Sequence, residues 1–91
     1  SITGIVPMGS NALHWKIPTD ALIRSPLEDF VYVVGDGAIA KRVPFRIAFE
    51  RDGHVFAKCS SGTFENGDQI IVEGNERLQP DQPLIIRERD E

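Results

Sequence analysis

Several ingredients are scarce in this chain, and each scarcity excludes something. A single cysteine, Cys59, among 91 residues rules out an intrachain disulfide framework and a multi-thiolate metal site. No apolar run approaches the ~18 residues of a membrane-spanning helix, and no signal-peptide pattern opens the chain. Basic residues number ten against fourteen acidic ones, for a net charge of -4 and a pI near 5.1. The ten are scattered along the sequence, whereas a phosphate-binding surface takes clustered Lys and Arg, so nucleic acid is not expected as a partner. Repeats and low-complexity tracts are missing. With 8 Gly and 6 Pro punctuating the chain, no room is left for a long helix; one turn around Thr19–Ile23, between Pro18 and Pro26, is the most that the pattern allows. The chain starts at Ser1 with no initiator Met, so the expectation is a piece of a longer protein whose anchor or export signal lies upstream.

What is present is strand chemistry. Alternating apolar runs predict strands at Ala12–Ile17, Phe30–Val34, Ile39–Phe49 with a break near Pro44, Val55–Cys59, Gln69–Val72 and Leu84–Ile86. Asp36-Gly37 and Asp52-Gly53 stand where two-residue hairpin loops belong, because both central residues of such a turn need positive φ. Asn66-Gly67-Asp68 supplies a third turn signal. A two-residue loop at Asp36-Gly37 pairs Val34 with Ile39, Tyr32 with Lys41 and Phe30 with Val43. A loop at Asp52-Gly53 pairs Phe49 with Phe56 and Ala48 with Ala57. Both place the bulky groups from Phe30 through Phe56 on one shared inner face, as a period of two demands. Pro44 cannot donate to a ladder and marks an edge or a bulge. The fold class is therefore all-β: a small antiparallel barrel or roll built from hairpins, with at most one short helical turn.

A search for chemistry yields no assembled site. Ser60, Ser61, His14 and His54 supply residue types for hydrolysis in no known arrangement, and no nucleophile elbow is present. On one extended strand Cys59 and His54 point to opposite faces; Cys59 reads as a small core residue at a strand end and His54 as a hairpin flank. His14, His54 and Cys59 lack the close-spaced ligand pair and the fourth ligand of a zinc site. Gly35-Asp36-Gly37 is a turn, since no helix follows to hold a phosphate. Trp15, between His14 and Lys16, is a partly buried strand residue or a ligand-stacking ring, and a stand-alone small β-barrel that binds a ligand there is the alternative function. A small hydrolase using Ser60, Ser61 or Cys59 is a further one.

The order of the segments carries more. "ALHWKIPTDALI" resembles the strand and Pro-x-x-Ala-Leu element that opens the last domain of periplasmic adaptor proteins, also called membrane fusion proteins. "DFVYVVGDGAIAKRVPFRI" is similar to that family's valine-rich strand, Gly/Asp turn and strand ending in Arg-Val-Pro-Val. "SGTFENGDQIIVEGNERLQPDQPLII" follows its closing pattern at Gly62, Gly67, Asp68, Ile70, Ile71, Val72, Gly74, Leu78 and Gln82. The usual Leu after Gly62 is replaced by Thr63, with Phe64 filling the core slot, and the usual Gly near Asp81 is missing. The likeness runs from about Ala12 to Ile86, and Thr3–Val6 resembles the end of the barrel domain that precedes it in the family.

The resemblance implies residues 1–11 as the end of that preceding domain or a flexible linker, 12–87 as a membrane-proximal β-domain, and 88–91 as an acidic tail. It implies no catalysis, cofactor or metal. The implied partners are an inner-membrane transporter of the proton-driven RND or the ATP-driven ABC type, further copies of the adaptor, and an outer-membrane channel reached through other domains. The implied location is the periplasm, attached to the inner membrane through parts of the full-length protein. Docking is expected at strand edges and at the polar hairpin tips, Asp36, Gly37, Arg51, Asp52 and Gly53, because recognition concentrates on loops held by a rigid scaffold. In the family this domain borrows a strand from the N-terminal part of the protein. A chain without it is expected to show an unpaired edge, a mobile segment before Asn11 and a frayed tail.

Overall fold

The computed structural model describes residues 4–86. Strands form where β-branched and aromatic residues are concentrated, and no helix among the described residues reaches seven residues, so the fold is all-β, a curled antiparallel half-barrel. The described strands are β1 (Ile5–Pro7), β2 (Gly9–Ser10), β3 (His14–Pro18), β4 (Ile23–Arg24), β5 (Asp29–Gly35), β6 (Ile39–Phe45), β7 (Phe49–Arg51), β8 (His54–Lys58) and β9 (Gln69–Ile71), with 3-10 turns at Thr19–Ala21, Cys59–Ser61 and Asn75–Arg77. They make a five-stranded sheet, in which β5 pairs with β6, β4 and β9 while β1 extends β9, and a four-stranded sheet ordered β2-β3-β8-β7.

β5 is the spine. Its run of apolar residues has no polar face, because both of its faces are covered. Val31 and Val33 point between the two sheets, into a core shared with Trp15, Ile17, Val43, Val55, Ala57, Phe64 and Ile70. Phe30 and Tyr32 point the other way, into a second core with Ala40, Ile71 and Leu84. The chain after β9 covers this second core. Ala40 and Ala38 exchange main-chain bonds with Asp81, Gln82 and Leu84, and the Tyr32 hydroxyl donates to the Leu78 carbonyl at 3.1 Å. Buried Asn75 donates its side-chain N–H groups to the carbonyls of Asp20 (3.2 Å) and Ala21 (3.1 Å), tying two of the 3-10 turns together.

The two hairpins differ in their loops. Between β7 and β8, Asp52 (φ 51°) and Gly53 (φ 73°) form the two-residue loop that the sequence indicates, and Phe49 lies opposite Phe56. Between β5 and β6 the loop has three residues, Asp36 to Ala38. Gly37 and, unexpectedly, Ala38 (φ 55°) take positive φ, and the Ala38 N–H bonds the Gly35 carbonyl. That extra residue moves the register by one. Tyr32 faces Arg42, Phe30 faces Pro44 and Val34 faces Ala40, rather than Lys41, Val43 and Ile39. A one-residue slip exchanges the faces, which is why Phe30 and Tyr32 do not share an interior with Val43.

The break in the long strand falls after Phe45, next to Pro44, as expected. Residues 46–48 cross from one sheet to the other, and the Ala48 N–H bonds the Phe56 carbonyl, so no Ala48–Ala57 strand pair forms. Pro44 sits where β6 has no neighbour but β5 among the described residues, an edge as anticipated. In the segment before Asn11, expected to be mobile, the described residues carry β1, paired with β9, and β2, paired with β3. Leu84–Ile86 forms no strand; Pro83 makes a lone bridge to Ile39. The acidic tail lies outside the described residues.

Candidate docking surface

The expected docking residues occupy two separate tips. Asp36 and Gly37 are exposed at the end of β5–β6, and Arg51, Asp52 and Gly53 at the end of β7–β8. No hydrogen bond or ion pair joins the two groups among the described residues. The second tip is held in place, since Thr19 donates both its N–H (3.0 Å) and its hydroxyl (3.1 Å) to the Gly53 carbonyl. Arg51 and Asp52 pair at 3.9 Å with both side chains mostly in water, a contact that contributes little.

Between those tips the four-stranded sheet shows two unlike faces. Cross-strand rows define them, because residues opposite one another in a ladder share a face. The rows Trp15–Ala57 and Ile17–Val55 close on the core. The alternate rows point outward: His14 beside Lys58; Gly9, Lys16, Phe56 and Phe49 in line; and Pro18, His54 and Arg51. Phe49 and Phe56 therefore lie outside the core, against the expectation of one inner face, because the crossover at residues 46–48 hands the chain to the other sheet. The two rings stack at 4.5 Å and 12°. His14 sets its edge on Phe49 at 5.1 Å, and the Arg51 guanidinium lies 5.9 Å from each phenyl ring. Phe56 is buried beneath this cover while Phe49 stays 39% exposed.

Open grooves lie beside the crossover and at the Leu13–Lys58 end of the outward face. One of about 510 Å³ runs between Leu27–Asp29 and Pro44–Ile47, and one of about 360 Å³ lies among Arg46, Ile47, Ala48, Lys58 and Ser61. The third, about 280 Å³, meets the outward face at Leu13, His14, Lys58 and Cys59. Leu13 stands 71% exposed beside it.

The residues weighed for chemistry are dispersed. His14 and Cys59 border one groove, whereas His54 is at the far end of β8, opposite Pro18, with Nδ1 2.9 Å from the Asp52 carbonyl. Cys59 opens a 3-10 turn and packs partly against the first core. The Ser61 hydroxyl donates to the Lys58 carbonyl at 2.8 Å and neighbours the Thr63 hydroxyl at 2.9 Å. Trp15 is buried edge-on to Phe64, which fills the core as anticipated; its indole N–H has no hydrogen-bond partner among the described residues. Nor do those residues gather three His, Cys, Asp or Glu able to hold a metal ion. None of their helices is long and apolar enough to cross a membrane.

The outward face escapes sequence reading because Lys16, Arg51 and Lys58 are far apart in the chain. Its trace is the alternation His14-x-Lys16-x-Pro18 and His54-x-Phe56-x-Lys58, visible only once the strands are paired. No family model matches this chain, and no curated protein matches it either.

Proposed function

We propose that this chain is a non-catalytic docking domain, the membrane-proximal β-domain of a periplasmic adaptor that rests on an inner-membrane transporter and helps to export drugs or other small molecules. The observation that carries the reading is the order of segments from Ala12 to Ile86, including the Gly/Asp turn, the Arg-Val-Pro strand end and the Gly-Asp-strand-Glu-Gly close. Physical support comes from the way those segments fold. Gly37, Gly62, Gly67 and Gly74 all take positive φ, where side chains are disfavoured. They turn short strands into a half-barrel whose rims and one sheet face are left for contact. β7, which pairs only with β8 among the described residues, offers a strand edge to a partner.

Binding a ligand through Trp15 fits less well, because that ring is packed in the core against Phe64. Co-purification tests the proposal. A full-length protein containing this domain should retain its neighbouring multi-span transporter on an affinity column and restore efflux, and deletion of residues 12–87 should abolish both. Retention of the transporter and of efflux after that deletion overturns the reading.

A further inference from the structure

The outward face of the four-stranded sheet is unusual in its charge. In a chain of net charge -4, its rows present Lys16, Arg51 and Lys58 together with two histidines, and no Asp or Glu projects from them. Of the acids next to it in the chain, Glu50 projects to the other face, 3.8 Å from Arg24, and Asp52 lies 3.9 Å from Arg51 at the tip, an exposed pair that offsets the Arg51 charge only weakly. Lys16 and Lys58 are diagonal neighbours across the β3–β8 ladder, a separation of about 7–8 Å between such positions. That is within one screening length at physiological salt, about 8 Å. Like charges gathered so closely favour an anionic counterpart.

Two further features narrow what that counterpart is. β7 is a strand edge, and in a two-residue hairpin Arg51 and His54 form the hydrogen-bonded pair next to the loop. The main-chain groups of Glu50 then point away from β8, in the geometry that an added extended strand pairs with. Phe49 is stacked on Phe56 and met by His14, so it is not a free platform for a nucleic-acid base. The groove beside Leu13 at the Lys58 end of the face offers a place for one apolar side chain, the usual form of an interface anchor.

We propose that this face docks an acidic polypeptide segment, whose carboxylates meet Lys16, Arg51 and Lys58 while one apolar residue enters the groove between Leu13 and Lys58. The proposal deepens the docking role given above and rests on it, naming the face and the chemistry of the partner surface.

Titration of the isotopically labelled chain, followed by backbone amide NMR, tests it with four probes: a synthetic Glu/Asp-rich peptide with a central Leu, the same peptide with Lys for every acid, vesicles of phosphatidylglycerol, and a single-stranded oligothymidine. The acidic peptide is expected to shift amides of β3, β7 and β8, with an affinity that falls several-fold as salt rises through the physiological range. Replacing both Lys16→Glu and Lys58→Glu should weaken it roughly tenfold or more. Phe49→Ala, and separately Arg51→Glu at the exposed tip, should each weaken it several-fold, with amide spectra confirming that each variant is folded. Equal binding of the basic peptide, no binding, salt-independent binding, shifts confined to other strands, or tighter binding of vesicles or oligothymidine overturns the proposal. None of these results depends on the transporter, so failure here leaves the co-purification outcome to decide the domain's role.

Discussion

The hairpins β5–β6 and β7–β8 turn on the same dipeptide, Asp-Gly, and stand in opposite circumstances. β5 is enclosed on both faces and paired along both edges, by β6 on one side and by β4 and β9 on the other. β7 has three exposed residues and, among the described residues, one neighbour. One hairpin is the frame of the molecule and the other is its rim. A turn dipeptide fixes where the chain reverses; the burial of the flanking strands decides what the hairpin is for.

Removing a large side chain from each separates them most sharply. Tyr32→Ala should cost about 3–5 kcal/mol, the range for aromatic truncation in a core, while Phe49→Ala at the rim should cost about 1 kcal/mol or less. Urea unfolding followed through Trp15 measures both, and equal losses would break the comparison. Next in size are the loops. Gly53→Ala forces a side chain into left-handed backbone at φ 73° and should cost about 1–2 kcal/mol. Ala38→Gly relieves such a conformation and should gain up to about 1 kcal/mol, reduced by the extra freedom of glycine in the unfolded chain. Loss of stability in Ala38→Gly would show that the three-residue loop is not the strained one. Smaller still is Tyr32→Phe, which leaves the Leu78 carbonyl without its donor and should cost about 1 kcal/mol. Last is Arg42→Ala. Arg42 lies 4.0 Å over Phe30 and 3.2 Å from Glu28, and its removal should cost about 0.5–1 kcal/mol, less in high salt; a larger loss would make the outer side of β5–β6 more than a cover.

The same comparison explains what could be read from the sequence. β5 was legible from its continuous β-branched and aromatic run, and β8 with the two-residue loop at Asp52-Gly53 from the turn dipeptide and the Phe49–Phe56 register that it sets. The loop at Asp36 to Ala38 was not, because an alanine gives no sign that it will adopt positive φ, and one added residue exchanges the faces of a whole strand. β1, β2 and β4 have two or three residues each, too few for any periodicity, and exist because β9, β3 and β5 offer them edges. The tips at Asp36-Gly37 and Asp52-Gly53 were found as turns, whereas the cationic face was hidden. Its members come from β3, β7 and β8, and only pairing brings them into rows.

The lid that residues 78–84 place over the second core has a consequence for synthesis. Ile5 of β1 pairs with Ile71 of β9, and Leu84 arrives later still to cover Tyr32 and Phe30. A nascent chain leaving the ribosome therefore carries a half-built sheet, with one greasy side open, until residues 78–84 have emerged. A chaperone or a preceding folded segment has reason to wait on that side of β5, and a stop codon placed shortly before Leu78 should send the product into inclusion bodies rather than yield a slightly smaller domain.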